Sequence, residues 1–294
     1  MSGKNWMQLV MLSLLWGGSF FFVEVALEGL PVLTIVWCRV ALAALILALA
    51  VQVSGTAFPQ GAAVWWALIV MGLLNNAVPY TLFVSAQGQI SGSLAAILNA
   101  TTPLFTVIVA HFATSDERAG RAKLAGLALG FCGVVIMMAG QGGAAAWFGP
   151  SLCLLAALSY GLAGVWGRRF RRMGVTPLAT AFGQVMASSV LLAPVWMMVD
   201  RPWAMALPSV QVVLAVAGLA AMSTALAYLL YFRLLASAGA TNLSLVTFLI
   251  PVSATILGAI FLNERLLPQH IAGFGLISLG LIAIDGRFYR WARA

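Results

Sequence analysis

Charged side chains are scarce in this sequence. Its 294 residues include 15 Lys and Arg but only 7 Asp and Glu, so 7% are charged, whereas 63% are hydrophobic. A soluble domain of ordinary composition carries about 25% charged residues. Because a spanning helix needs about 20 apolar residues, the chain has room for roughly ten or eleven spans with short loops, which excludes a large soluble catalytic domain.

Residue types used in covalent or metal chemistry are also few. The three cysteines, Cys38, Cys132 and Cys153, lie in apolar stretches and form no C-x-x-C pattern, so neither a disulfide framework nor a metal site is expected. The only lysines, Lys4 and Lys123, lie outside the apolar runs, which excludes a retinal Schiff base. No cofactor is expected.

The sequence motifs of enzymes and ATP-driven pumps are missing. The sequence has no G-x-S-x-G, no H-E-x-x-H and no G-x-x-x-x-G-K-[ST] pattern. Its two histidines, His111 and His270, fall near opposite predicted membrane faces, too far apart to share a site. These absences exclude a primary pump and argue against an intramembrane enzyme.

Apolar runs separated by glycine and proline make up most of the chain. The first run extends from Trp6 to Val23 without an A-x-A cleavage site, and it predicts a retained helix instead of a signal peptide. The runs and breakers together predict an all-α integral membrane protein with ten transmembrane helices. The predicted helices cover residues 6–25, 31–53, 64–85, 91–112, 122–140, 150–167, 178–199, 209–232, 241–262 and 269–285.

The basic residues fall in alternate loops between these helices. With the N-terminus in the cytoplasm, twelve lie on the cytoplasmic side, whereas Arg201 and Arg265 lie outside and Arg39 lies within a span. This asymmetry predicts cytoplasmic N- and C-termini in a bacterial inner membrane. It also accounts for the net charge of +8 without nucleic acid as a partner, which leaves membrane lipids and a small-molecule substrate as the expected partners.

The second half of the sequence echoes the first. The segment SLAAILNATTP at residues 93–103 matches TNLSLVTFLIP at residues 241–251, and the two prolines coincide. The echo predicts two five-helix units, residues 1–141 and 142–294. Because five is an odd number, the second unit enters the membrane from the opposite side, and such inverted repeats are characteristic of secondary transporters. A gene duplication without a transport role is the alternative.

Several short motifs resemble a known family. They are W-G-x-x-F beginning at Trp16, Arg39 in helix 2, and mid-helix Pro103 and Pro251, each followed by a Glu-Arg loop. With the repeat, they resemble the EamA branch of the drug/metabolite transporter superfamily over essentially the whole chain. The resemblance implies alternating access, with helices 1 to 4 and 6 to 9 around a central cavity and helices 5 and 10 outside. Within that branch, the chain is similar to the YddG-type exporters of aromatic amino acids.

Polar and aromatic residues cluster near the predicted middle of the bilayer. The polar side chains would bind substrate, or alternatively hold helices together. The rings would sandwich a flat substrate, or alternatively face lipid. Prolines at matching places in the two halves indicate a central site. The predicted substrate-binding residues are Trp16, Ser19, Phe20, Asn75, Asn76, Tyr80, Asn99, Thr102, Tyr160, Trp166 and Tyr228, and the predicted hinges or helix breaks are Pro79, Pro103 and Pro251.

Arg39 is the one charge predicted well inside a span. An unpaired charge there would cost several kcal/mol, so Arg39 needs a partner. A substrate carboxylate is one candidate. The favoured expectation is a structural pairing with Glu24, at the outer end of helix 1, or with helix carbonyls.

The sequence predicts a facilitative carrier or exchanger. No acidic residue falls at the midplane, so proton coupling through a carboxylate is not expected, and His111 is the remaining titratable candidate. The predicted substrates are small amphipathic metabolites, such as aromatic or other apolar amino acids. A channel, a lipid-handling protein or a carrier of a different metabolite or drug is the alternative. The stripe of Gly126, Gly130 and Gly133 predicts close helix packing within the chain first, and therefore a monomer or weak homodimer.

Overall fold

The computed structural model describes residues 1–114, 119–138 and 144–285, and this part of the chain contains helices and no strands. The all-α prediction is therefore confirmed. The principal helices are α1 (Gly3–Leu27), α2 (Val32–Val53), α3 (Ala62–Gln87), α4 (Gly92–Ala113), α5 (Arg121–Met138), α6 (Phe148–Arg172), α7 (Pro177–Val199), α8 (Val210–Gly239), α9 (Val246–Phe261) and α10 (Pro268–Asp285).

Eight of these helices in the described ranges, α1 to α8, are long and apolar enough to cross a membrane, and α9 and α10 are shorter apolar helices. The largest differences from the predicted bounds occur at the end of α6, which continues five residues further to Arg172, and where α8 meets α9. There α8 continues to Gly239, seven residues beyond its predicted end, and α9 begins at Val246, five residues after its predicted start. The predicted boundary between the two units, at residues 141 and 142, lies outside the described residues.

Four helices begin at a hydroxyl side chain that caps their free backbone amides. Ser2 at α1, Ser91 at α4, Thr176 at α7 and Ser209 at α8 each accept a hydrogen bond from the amide three residues later, at 3.2 to 3.4 Å. Ser and Thr are preferred at this position because the short side chain replaces the missing intrahelical acceptor. These caps mark where the apolar runs become helical.

Two of the long helices contain a π-helical segment. These segments are Leu73–Ala77 in α3 and Ala221–Leu226 in α8, and their first residues lie 221 − 73 = 148 positions apart. The same offset relates the matching stretches of helices 4 and 9. A π-helical turn holds one residue more than an α-helical turn, and such turns are rare and frequent at functional sites.

The predicted helix-breaking prolines behave in three different ways. Pro79 lies two residues after the π-helical segment of α3, and Pro103 lies near the start of the second half of α4, after an interruption at Ala100 and Thr101. At Pro251, however, α9 continues unbroken to Phe261, so the helix has no break there, and a hinge at Pro251 stays a prediction. The chain bends earlier, at Gly239, whose φ of 78° is easily adopted only by a residue without a Cβ.

Helices α5 and α10 contact each other through glycine. A Cβ built on Gly126 would lie 2.6 Å from the carbonyl oxygen of Gly280, and a Cβ on Gly133 would lie 2.6 Å from that of Gly273. No larger side chain fits at these positions. The expected close packing of the α5 stripe is therefore made with α10 of the same chain.

The remaining main contacts also join the first five helices to the last five. Helix α2 packs against α7, α1 packs against α9, and α6 packs against α4. Gly17 of α1 approaches the backbone of α9, where its Cβ would lie 2.9 Å from the Ala254 nitrogen. Gly161 of α6 approaches α4 in the same way, 3.0 Å from the Phe105 carbonyl carbon. The first helix of each group of five thus packs against the fourth helix of the other.

Candidate functional site

A cavity of about 690 Å³ lies between the two groups of five helices. Its volume is within the range of small-molecule sites, which is about 300 to 1,000 Å³. Both groups contribute to its wall, through α1 to α4 and through α6 to α9. Nine of the eleven predicted substrate-binding residues line it, namely Trp16, Ser19, Phe20, Asn75, Tyr80, Asn99, Thr102, Tyr160 and Tyr228.

The other two predicted residues, Asn76 and Trp166, do not line the cavity. Asn76 is completely buried, and its Nδ2 donates hydrogen bonds to the hydroxyls of Tyr80 at 3.2 Å and Tyr228 at 3.1 Å. Trp166 points elsewhere, because its Nε1 donates to the carbonyl oxygen of Ala67 at 3.0 Å. Asn76 therefore holds two lining tyrosines in position, and Trp166 joins α6 to α3.

The polar part of the wall is centred on Asn75 in the π-helical segment of α3. Its Nδ2 donates to Oε1 of Gln184 at 2.9 Å and to the Tyr228 hydroxyl at 3.2 Å. The amide thus joins α3, α7 and α8 beside the cavity. Gln184 was not among the predicted site residues, although an amide within an apolar span is itself a signal of a buried polar contact.

Aromatic rings cover much of the rest of the wall. The rings of Trp16 and Tyr231 lie 5.5 Å apart, and those of Phe83 and Tyr160 lie 6.0 Å apart with an angle of 27° between their planes. Tyr231 and Phe83 also line the cavity but were not predicted. Rings on α1, α3, α6 and α8 give a flat apolar group several faces against which to pack.

Arg39 reaches the cavity from α2 and is 7% exposed. Its Nε donates to Oγ1 of Thr224 in the π-helical segment of α8 at 2.9 Å, and its guanidinium carbon lies 3.7 Å from the centre of the Tyr80 ring. Among the described residues, Thr224 and Tyr80 thus stand where Glu24 or helix carbonyls were expected as partners of Arg39. Glu24 accepts a hydrogen bond from Nε2 of Gln87 at 3.3 Å.

A second cavity of about 450 Å³ lies beyond Gln87, and we call it the acidic vestibule because Glu24, Glu28 and Glu264 line it. Glu264 caps the start of α4, where its carboxylate accepts hydrogen bonds from the amides of Gly92 and Ser93, both at 3.0 Å, and from the Ser93 hydroxyl. Gln87 lines both cavities. Its Nε2 donates to the carbonyl oxygen of Phe20 at 2.8 Å, so this contact lies where the vestibule and the larger cavity adjoin.

The opposite end of the larger cavity reaches the connection between α6 and α7. Arg171, Val175 and Pro177 line it there, together with Leu235 of α8 and Val246 of α9. The cavity thus extends from the middle of the helices toward one face. Within the described residues, no group of three His, Cys, Asp or Glu side chains lies where it could hold a metal ion.

Comparison with known proteins decides the family. The sequence model of the EamA-like transporter family matches residues 4–139 and, separately, residues 147–284. The chain belongs to the EamA-like transporter family. It is consequently a multi-pass membrane protein of a transporter family, and the two matches each contain one group of five helices.

Individual relatives of this EamA-like protein are distant. It is 25% identical over 277 residues to the uncharacterized inner membrane transporter YedA of Escherichia coli K12, covering 94% of this chain and 89% of YedA. It is 23% identical over 291 residues to the uncharacterized transporter YoaV of Bacillus subtilis, covering 98% of each. Protein PecM of Dickeya dadantii is 26% identical over 227 residues, covering 75% of this chain and 73% of PecM.

The fold has a counterpart among solved structures. One crystal structure matches this chain with a TM-score of 0.68 and 19% sequence identity, and the match covers 97% of this chain and 98% of the other. At this identity the likeness concerns the fold alone. The fold is therefore shared along the whole described length of this EamA-like chain.

Proposed function

We propose that this protein is a secondary carrier of small amphipathic metabolites, aromatic or other apolar amino acids among them, which works by alternating access. The observation that carries the proposal is the cavity of about 690 Å³, which has an aromatic and polar wall and is bordered at one end by the Gln87 contact. A carrier needs such a compartment that is closed toward one side while it is accessible from the other.

An inverted repeat of two five-helix halves, giving ten crossings, is part of this proposal. It is supported by the two family matches and by the reciprocal packing of α1 on α9 and of α6 on α4. It is also supported by the two π-helical segments, whose separation along the chain equals that of the matching stretches in helices 4 and 9. Two related halves of opposite orientation can exchange conformations, and the exchange would open the cavity first to one face and then to the other.

The orientation proposed for the chain has both termini in the cytoplasm of a bacterial cell, within the inner membrane. The basic residues at the end of α6, Arg168, Arg169, Arg171 and Arg172, support it through the positive-inside rule. The relative YedA is named as an inner membrane transporter, in agreement with this location. In this orientation the cavity opens toward the cytoplasm, and the acidic vestibule faces outward.

Counterflow of labelled tryptophan into proteoliposomes of the purified protein tests the proposal. We expect saturable uptake driven by unlabelled tryptophan inside and unchanged by an imposed pH gradient. Replacement of the lining ring by Trp16→Ala should lower the initial rate at least about fivefold, since one aromatic contact is worth about 1 kcal/mol. Trp203→Ala is the matched control, because Trp203 is 73% exposed and is not one of the residues that line the cavity.

The same assay distinguishes the alternatives. Flux that rises linearly with concentration and shows no counterflow would contradict a carrier and favour a channel. Uptake that follows the pH gradient would contradict the facilitative mode and direct attention to His111. Saturable counterflow of other metabolites without tryptophan would leave the carrier in place and overturn the aromatic amino-acid assignment.

A further inference from the structure

The charged residues that line the larger cavity are all basic. Arg39 and Arg171 are the charged residues of its wall, and no Asp or Glu of the described residues lines it. The three carboxylates of the acidic vestibule lie on the other side of the Gln87 contact. A ligand in the cavity therefore meets the buried Arg39, passes the exposed Arg171 at the end near the connection of α6 and α7, and meets no carboxylate of the described residues.

Arg39 has hydrogen-bonding capacity left over. A guanidinium has five N–H donors, and among the described residues Arg39 makes one hydrogen bond, from Nε to Thr224. Tyr80 covers one face of the group at 3.7 Å. This contact leaves the edge that carries the two terminal nitrogens for a ligand, because a ring packed on the face blocks no N–H. A buried charge with so few partners is costly in a membrane, and an anion would remove much of that cost.

The chemistry of Arg39 fits one type of ligand group. The two terminal nitrogens of a guanidinium form parallel hydrogen bonds with the two oxygens of a carboxylate. Thr224 and Tyr80 hold the guanidinium in place from two helices, so its donors are already oriented. The rings of Trp16, Tyr231 and Tyr160 line the same cavity and would receive an aromatic group attached to that carboxylate.

An ammonium group finds no comparable partner. The polar wall offers amides and hydroxyls, including Asn75, Asn99, Thr102 and Gln184, but no carboxylate among the described residues. Two arginines on the same cavity repel a positive charge. A zwitterionic amino acid would gain the contact with Arg39 but would pay the cost of removing its ammonium from water without an ion-pair partner.

We propose that this cavity selects aromatic monocarboxylates that lack an ammonium group over the corresponding amino acids, and that Arg39 holds the carboxylate. The proposal rests on the proposed carrier function and narrows its substrate class. It assigns Arg39 a role in binding in addition to its contacts with Thr224 and Tyr80.

Three indole compounds of nearly equal size test the selectivity. Indole-3-propionate carries the carboxylate alone, tryptophan carries both charges, and tryptamine carries the ammonium alone. Binding to the purified full chain in lipid nanodiscs is measured by calorimetry at pH 7, and the same compounds compete in tryptophan counterflow. We expect indole-3-propionate to bind about tenfold or more tightly than tryptophan, and tryptamine to bind least.

Variants of Arg39 identify the residue that is responsible. Arg39→Gln should remove the preference for indole-3-propionate. Arg39→Lys should keep part of the preference, because lysine retains the positive charge but lacks the two parallel N–H donors of the guanidinium. Arg121→Gln makes the same change at an exposed position at the start of α5 and should keep the full preference. The elution profile and unfolding temperature of each variant show whether it is folded. If Arg39→Gln fails to fold, the binding preference of the Lys variant and the affinities of the three compounds for the unchanged protein still test the proposal.

The outcomes separate this inference from the carrier function. Tryptophan binding as tightly as indole-3-propionate would overturn the inference, and saturable counterflow in the same preparation would leave the carrier standing. Arg39-dependent binding of indole-3-propionate without any counterflow would support the site and contradict the carrier. Absence of binding by all three compounds, in a folded preparation, would overturn the assignment of this ligand class to the cavity.

Discussion

Gln87 at the end of α3 donates a hydrogen bond from Nε2 to the backbone carbonyl oxygen of Phe20 in α1, at 2.8 Å. The side chain is 5% exposed, so water competes little for this contact. It lies where the larger cavity and the acidic vestibule adjoin. We expect this hydrogen bond to break when the cavity opens toward the vestibule.

Gln87→Leu removes that hydrogen bond while it keeps a side chain of similar size. One hydrogen bond is worth about 1 kcal/mol, so the population open toward the vestibule should rise about fivefold. The measurement is the labelling rate of Ser19→Cys by a membrane-impermeant maleimide added on the vestibule side, in a background with the three native cysteines replaced by alanine. Gln89→Leu, at an exposed vestibule position, should leave the rate unchanged. Equal rates in the two variants would mean that Gln87 does not hold this end closed.

Tyr228→Phe keeps the ring and removes the hydroxyl that accepts hydrogen bonds from Asn75 at 3.2 Å and Asn76 at 3.1 Å. Loss of a buried acceptor costs about 1 to 3 kcal/mol. We expect a fall in the unfolding temperature of about 2 to 4 °C for each kcal/mol. Tyr231→Phe is the matched control, since the Tyr231 hydroxyl makes no hydrogen bond within the described residues. If both variants unfold at the same temperature, the hydroxyl of Tyr228 is not needed for the network.

Gly273→Val places two methyl groups against α5, where a Cβ alone would already lie 2.6 Å from the carbonyl oxygen of Gly133. Overpacking of this kind costs about 1 to 3 kcal/mol or more, and here it acts on backbone that cannot move aside easily. Gly275→Val, two residues away on the same helix, has open space within 4 Å of its Cβ and should be tolerated. The comparison is made by thermal unfolding in detergent. Tolerance of both changes would contradict the close contact of α5 with α10.

Glu264→Gln removes the negative charge at the start of α4 but keeps one oxygen acceptor. The carboxylate accepts from the amides of Gly92 and Ser93, so its loss should lower the free energy of unfolding by about 0.5 to 2 kcal/mol. Glu28→Gln, exposed in the same vestibule, makes the identical change away from any helix start and should have little effect. Denaturation followed by circular dichroism measures both. An equal loss in the two variants would attribute the effect to the charge of the vestibule instead of the cap.

The sequence predicts the all-helical class and most of the cavity wall because both depend on local features. Apolar runs determine where helices lie, and isolated polar and aromatic residues within them mostly face the protein interior or a cavity. Partners distant in sequence are not predictable in this way. Arg39 and Thr224 lie 185 residues apart, and only the packing of α2 beside α8 brings them together.

The difference between Asn75 and Asn76 also lies beyond sequence periodicity. The two amides are adjacent, and the first lines the cavity while the second is completely buried. Which one faces inward depends on the π-helical turn, whose extra residue a regular spacing of 3.6 does not reveal. The bend at Gly239, in contrast, falls within the predicted connection between helices 8 and 9, residues 233–240.

The π-helical segment Leu73–Ala77 sets the rotation of everything that follows it in α3. Each residue of a regular helix turns the chain by about 100°. Because the π-helical turn takes up one extra residue within a single turn, deletion of one residue here would let α3 close into a continuous α-helix and leave Tyr80, Phe83 and Gln87 on their present faces. Straightening of the segment without a deletion would instead turn these residues by about 100°. During evolution, loss of one residue from this segment should therefore keep the wall of the cavity, whereas substitutions that straighten it at unchanged length should not, and the same applies to its counterpart in α8.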